Sequence, residues 1–135
     1  MSLKLKNIIE IYPFTLGKLL TNEDYIEKEI TSVNIIEVPT VAKWMKGGEL
    51  LFSSGYAFQG NLDIASQIIL DLAEKQVAAL VIKPGIYLNS VPQQLIDLAD
   101  SVHLPIIQIP EDMPYSLFMQ PILEKLINEQ IDLLI

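Results

Sequence analysis

Arginine is absent from this chain of 135 residues, and so is cysteine. Without arginine there is no planar fork to grip a phosphate or carboxylate with two bonds, and none to read guanine in a DNA groove. Without cysteine, disulfides, thiol nucleophiles and thiolate metal sites are all excluded. Histidine occurs once, at His103, and a zinc site built on it would need three carboxylates, a poor donor set for that metal. Positive charge is scarce as well: nine lysines face seventeen acidic residues, for a net charge of −8. Such a chain repels a phosphate backbone, so no nucleic-acid contact is expected from it. Long apolar runs are also missing. Ala78 to Ile82 stops at Lys83, far short of the ~18 residues a membrane helix needs. The opening Met1 to Lys6 lacks the apolar stretch of a secretion signal. A cytoplasmic protein with no membrane contact is expected.

What is present is apolar and ordered. Half the residues are hydrophobic and the mean hydropathy is +0.36, which excludes a disordered tail. At this length one domain buries roughly 68–70% of the surface its unfolded chain exposes.

The second half of the chain has a clear period. Glu49 to Phe52 reads as a short strand entered from Gly47-Gly48. Asn61 is placed to cap a helix with Asp63 in its first turn, and Ala65, Ile68, Ile69, Leu72 and Ala73 form the helical stripe. Ala78 to Ile82 is continuously aliphatic, as a strand buried on both faces should be. Lys83-Pro84-Gly85 turns the chain. Pro92 suits a helix start, and Val91, Leu95, Leu98, Ala99 and Val102 form a second stripe. Pro105 to Ile109 is the third strand. Strand starts near 50, 79 and 106 are spaced close to the ~30 residues of a βαβ unit, which predicts a mainly parallel α/β sheet with flanking helices. The expected fold class is therefore α/β, with a βαβαβ core over residues 49–110, a smaller α+β portion before it and a closing helix after it.

That smaller portion is read more coarsely. Leu5, Ile8 and Ile9 suggest a short helix ended by Pro13, Thr15 to Leu20 a strand or a turn of helix, and Ile30 to Val38 a strand. Thr40 to Lys46 looks like one or two helical turns stopped by Gly47, with Trp44 and Met45 either an exposed contact or, the favoured reading, packed against those turns. Glu10, Glu23, Asp24, Glu27 and Glu29 read as a solvated acidic surface. From about Ser116 to Ile135 a last stripe (Met119, Ile122, Leu123, Leu126, Ile127, Ile131, Leu134) predicts a helix with Pro121 in its first turn.

An open parallel sheet binds ligands beyond the carboxyl ends of its strands. Here those ends are Ser53-Ser54-Gly55-Tyr56, Lys83-Pro84-Gly85-Ile86-Tyr87 and Pro110-Glu111-Asp112. They offer hydroxyls, a small-residue turn, one ammonium and two carboxylates. The plainer reading is a solvated loop rim with Lys83 paired to Glu111 or Asp112. Gly47-Gly48-Glu49 could bring backbone N–H groups close to a ligand, or could serve only as a helix stop and strand entry. No dinucleotide, P-loop or nucleophile-elbow motif occurs, and Tyr56 to Gly60 separates Ser53-Ser54 from the helix an elbow needs at once. His103, at a helix end, suits a structural role. No catalytic residue, cofactor or metal is expected.

Residues 30–39, through Glu37 to Pro39, lead into Trp44-Met45-Lys46-Gly47-Gly48-Glu49-Leu50-Leu51-Phe52-Ser53-Ser54-Gly55. Val77 to Leu80, Val91-Pro92, Leu98 to Asp100 and Leu104-Pro105 through Ile109-Pro110 follow in order. This pattern resembles the N-terminal domain of the purine catabolism regulatory protein-like family over nearly the whole chain. The resemblance implies a non-catalytic sensory domain of a bacterial transcription regulator whose helix-turn-helix lies in a separate C-terminal region. It implies a small metabolite effector, purine-related or another nitrogen compound, a homodimer, and DNA contact only through that other region. Residues 1–135 are then one regulatory domain, a fragment of a longer regulator, with the last helix leading onward. The layout is also similar to the N-terminal domains of muramyl ligases, a likeness of fold that carries no activity.

The family's second strand usually carries a His and a Ser just before the Glu, where this chain has Asn34 and Ile36. If that His contacts the effector in the family, the effector of this chain differs or binds elsewhere. The candidate ligand-binding set is Glu37, Gly47, Gly48, Glu49, Ser53, Ser54, Gly55, Tyr56, Lys83 and Glu111. Two alternatives remain: a protein–protein module with no small ligand, and a hydrolase- or transferase-like accessory domain with Ser54 in contact with Glu111.

Overall fold

The aliphatic runs of the second half form the middle of a five-stranded sheet, and the first half supplies both of its edges. The computed structural model describes residues 2–37, 39–58 and 61–134. Strands β1 (Lys18–Leu19), β2 (Ser32–Ile35), β3 (Glu49–Ser53), β4 (Ala79–Ile82) and β5 (Ile106–Gln108) stand in the order β1-β5-β4-β3-β2. Strands β2 to β5 are parallel, with Ile35 opposite Phe52, Ser53 opposite Ile82, and Ile82 opposite Gln108. β1 runs antiparallel on β5, Lys18 opposite Gln108. The expected parallel core is present, and it is one strand wider on each side.

Helices α2 (Leu62–Glu74) and α3 (Gln93–Ser101) lie on one face of the sheet. Successive right-handed crossovers stepping in one direction require that placement. Asn61 caps α2 as expected, its side chain accepting the Asp63 N–H at 2.7 Å. Ala65, Ile68, Ile69 and Leu72 join Leu51, Leu80 and Ile106 in one apolar cluster. Leu50, Phe52, Ala79, Val81 and Ile107 point the other way, as the two-residue period of a strand dictates. They meet Leu5 and Ile8 of α1 (Leu5–Ile8) and Phe118 and Ile122 of α4 (Tyr115–Leu134). Both faces of the strands are covered, which is why the runs are aliphatic throughout.

Helix α4 therefore covers a sheet face that the crossovers leave bare. Its buried line is Phe118 and Ile122, with Met119 and Leu126 alongside, while Leu117, Leu123 and Ile127 are exposed. Pro121 is the seventh residue of α4, so it sits inside the helix instead of in the first turn. Ile131 and Leu134 of the expected stripe, and Ile135, lie outside the described side chains.

The short elements differ from expectation in detail. Thr15 to Leu20 resolves into a 3₁₀ turn, Phe14–Leu16, and then β1. The strand expected over 30–38 forms over Ser32–Ile35, and Val38 lies outside the described residues. Where helical turns over 40–46 are expected the chain forms a 3₁₀ turn, Pro39–Trp44, too short to bury both Trp44 and the Met45 that follows it. Met45 packs inside, but Trp44 is 71% exposed, with the Lys43 ammonium 5.4 Å from its ring. The five acidic residues from Glu10 to Glu29 are exposed, as expected. Among the described residues no helix is long and apolar enough to cross a membrane.

Candidate functional site

Parallel register brings four strand exits to one edge of the sheet: Glu37 follows β2, Ser54 follows β3, Lys83 follows β4, and Glu111 lies beyond β5. The first two touch. The Ser54 N–H donates to Glu37 Oε1 at 3.0 Å, and the Ser54 hydroxyl donates to Oε2 at 2.6 Å. One residue thus holds both oxygens of the carboxylate through charge-assisted bonds. Beneath them the buried Ser53 hydroxyl accepts the Gly55 N–H at 3.0 Å and closes the turn, in which Gly55 adopts φ 90°.

Lys83 does not pair with Glu111 or Asp112. Its ammonium donates to the Met113 carbonyl at 3.0 Å and lies 4.5 Å from the centre of the Tyr115 ring. Among the described residues the ion pairs are those of Lys4 and Lys6 with Glu27. Tyr115, the first residue of α4, packs its ring on Phe52 at 5.8 Å. Its hydroxyl is buried and has no hydrogen-bond partner. Burial pushes this phenol up to about 12, the Glu37 charge adds to the shift, and the Ser54 hydroxyl partly offsets it. Tyr115 is absent from the candidate set. The one sequence signal available was its place at the start of a helix, just after the third strand exit.

A cavity of about 200 Å³ opens at this edge, lined by Ser54, Lys83, Pro84, Gly85, Ile86, Tyr87 and Glu111. Tyr56 meets Tyr87 edge to face at 5.0 Å, and Ile86 is 94% exposed at the mouth. The cavity is below the ~300–1,000 Å³ of drug-sized sites, so it suits a small metabolite. Carboxylates accept hydrogen bonds, Ser54 can donate or accept, and the single ammonium is already engaged. Ser54 bonds to Glu37 and not to Glu111, so the contact on which the hydrolase alternative rested is not formed.

The remaining candidates lie elsewhere. Gly47, Gly48 and Glu49 sit at the opposite end of β3, a strand's length from Ser53, Ser54, Gly55 and Tyr56. There Glu49, only 4% exposed, accepts the N–H groups of Lys46 (2.7 Å) and Gly47 (2.9 Å). Thr31 fills the space a side chain on Gly48 would need.

That opposite edge has a larger hollow, about 500 Å³, lined by Asn22, Asp24, Tyr25, Asp100 and His103. Its polar groups are largely matched to one another. Asp100 accepts the Tyr25 hydroxyl and the Asn22 N–H, and Lys28 donates to the His103 carbonyl. The Tyr25 ring stacks on His103 at 4.8 Å. This reads as a strap tying the N-terminal segment to the end of α3, consistent with a structural histidine.

Burial, reinforced by Asp100, raises the Tyr25 phenol to about 12. A raised folded-state pKa means the associated stability is intact below pH 10 and is lost as pH climbs from 10 towards 12. Lys28 runs the other way, because burial lowers its pKa and its contribution rises with pH up to 10.5. Thermal melts from about pH 8 to 11 should show Tyr25→Phe losing less stability at the alkaline end than the parent. Parallel curves for the two proteins would contradict that assignment.

Comparison with known proteins identifies a family for this chain. The purine catabolism regulatory protein-like family matches it over residues 7–126. The purine catabolism regulatory protein of Bacillus subtilis (strain 168) is 30% identical over 105 residues, which make up 78% of this chain and 20% of that protein. The chain thus spans about one fifth of that curated relative's length. Among solved structures, the CBS and DRTGG domains of the regulatory region of Clostridium perfringens pyrophosphatase, complexed with the activator diadenosine tetraphosphate, are similar at TM-score 0.50 and 15% identity. That match covers 84% of this chain and 43% of the other, and supports the α/β fold.

Proposed function

The chain belongs to the purine catabolism regulatory protein-like family, and from that premise we propose that it is the non-catalytic, ligand-sensing module of a cytoplasmic transcription regulator. The observation that carries this reading is a metabolite-sized cavity at the strand exits, lined by Ser54, Lys83 and Glu111, with Glu37 held behind Ser54 and the first residue of α4 beside them. The ligand is a small, uncharged, nitrogen-rich compound of the kind purine breakdown yields, because carboxylates accept from N–H groups. A polyphosphate such as the one in the pyrophosphatase complex suits the site poorly: there is no arginine, and the one lysine is committed. Ligand affinity that differs between two arrangements of the rim would shift the geometry of a homodimer through α4. DNA contact belongs to other parts of the regulator.

Thermal shift and calorimetric titration with hypoxanthine, xanthine, uric acid and ring-opened products of uric acid test this. At least one should stabilise the protein in a dose-dependent way, by about 2.7 kcal/mol at 100 times its Kd. Ser54→Ala should weaken that response. No response across the panel contradicts ligand sensing. Exposed Leu117, Leu123 and Ile127 on α4 favour a second reading, a protein–protein module, and concentration-dependent association without any ligand response would support it.

A further inference from the structure

A buried hydroxyl without a partner is costly, and its place here is informative. Tyr115 stands at the junction between the proposed ligand cavity and α4, and its oxygen is sealed from solvent and makes no hydrogen bond, although the Ser54 hydroxyl lies beside it. Next to it the Ser54 N–H and hydroxyl each take one oxygen of Glu37. That clamp fixes the carboxylate where the Tyr115 hydroxyl does not bond it. Ser54 also lines the cavity, so one residue faces the ligand on one side and Glu37 on the other.

We propose that Ser54, Glu37 and Tyr115 form a hydrogen-bond relay, in which a ligand's carbonyl or ring-nitrogen acceptor draws off the Ser54 hydroxyl and leaves a Glu37 oxygen to accept the Tyr115 hydroxyl. Every donor is then matched. In the structure Ser54 bonds Glu37 and Tyr115 makes no hydrogen bond; in the proposed bound arrangement Ser54 bonds the ligand and Tyr115 bonds Glu37. Glu37 stays placed in both, because the Ser54 backbone N–H remains on its other oxygen. Relief of the unpaired hydroxyl favours the bound arrangement, and the movement falls on the first turn of α4. The relay rests on the ligand-sensing reading above and specifies the ligand group that starts it.

The test needs no ligand. Ser54→Ala removes the same hydroxyl that a ligand would draw off, so it should leave Glu37 open to Tyr115. Tyr115→Phe should then have opposite effects in two backgrounds. In the parent it deletes an unpaired buried hydroxyl and raises Tm by about 2–5 °C. In Ser54→Ala it deletes a hydrogen bond and lowers Tm by a similar amount. Amide hydrogen exchange in the first turn of α4 should also be slower in Ser54→Ala than in the parent. A Tyr115→Phe shift of the same sign in both backgrounds, or unchanged exchange in Ser54→Ala, overturns the relay. Either result leaves ligand sensing standing, since the panel titrations judge that separately.

Discussion

Replacing Phe52 with alanine will cost about 3–5 kcal/mol of stability, the range for emptying a buried aromatic site. Phe52 is fully buried in β3, with hydrogen-bonded strands on both sides. Its ring meets Phe14 at 6.5 Å and Tyr115 at 5.8 Å, so it joins the N-terminal segment, the sheet and α4. The residue is also two positions before Ser54, so the loss falls directly beneath the rim. Urea unfolding followed by circular dichroism measures it. A loss under about 1 kcal/mol would mean that the two layers on this face are not packed through Phe52.

Gly55→Ala has the second large effect, from two separate causes. The residue sits at φ 90°, where a side chain costs about 1–3 kcal/mol. An added Cβ would also stand 2.6 Å from the Leu88 Cβ, an atom too close to its backbone to swing away. Overpacking of that kind adds about 1–3 kcal/mol, so the sum is about 2–6 kcal/mol. Because Leu88 closes the loop that carries Lys83 to Tyr87, the substitution should also weaken any ligand response. Gly85→Ala is the control. Its nearest new contact, Glu111 Oε1 at 3.5 Å, is ordinary, and stability should change by under about 0.5 kcal/mol. Equal effects at the two glycines would contradict this account of the turn.

The parts of the fold written in local pattern were legible. Ala65, Ile68, Ile69 and Leu72 announce α2 because a helix repeats its buried face every 3–4 residues. The aliphatic run ending at Ile82 announces β4 because parallel strands are covered on both sides. What failed to show locally was set by distant partners. β1 is two residues long and exists because Gly17 lets the chain pass close to the Gln108 carbonyl. The cover over Trp44 could not be judged from a turn too short to have an inner and an outer face. At the site, parallel strand exits placed Ser54, Lys83 and Glu111 on one rim from spacing alone. Lys83 was expected to seek a carboxylate and found a carbonyl and an aromatic ring, since Met113 and Tyr115 come round with α4. The Ser54–Glu37 clamp links residues 17 positions apart across two strands, a contact that no period in the sequence encodes.

Following ¹⁵N-labelled protein by NMR while titrating in the tightest binder of the oxopurine panel tests the central claim most directly. Shifts should gather at Ser54, Lys83 to Tyr87, Glu111 and the first turn of α4, with Asn22 to Lys28 and Asp100 to His103 unmoved. Shifts centred on that second group, or scattered without a focus at the strand exits, would contradict it.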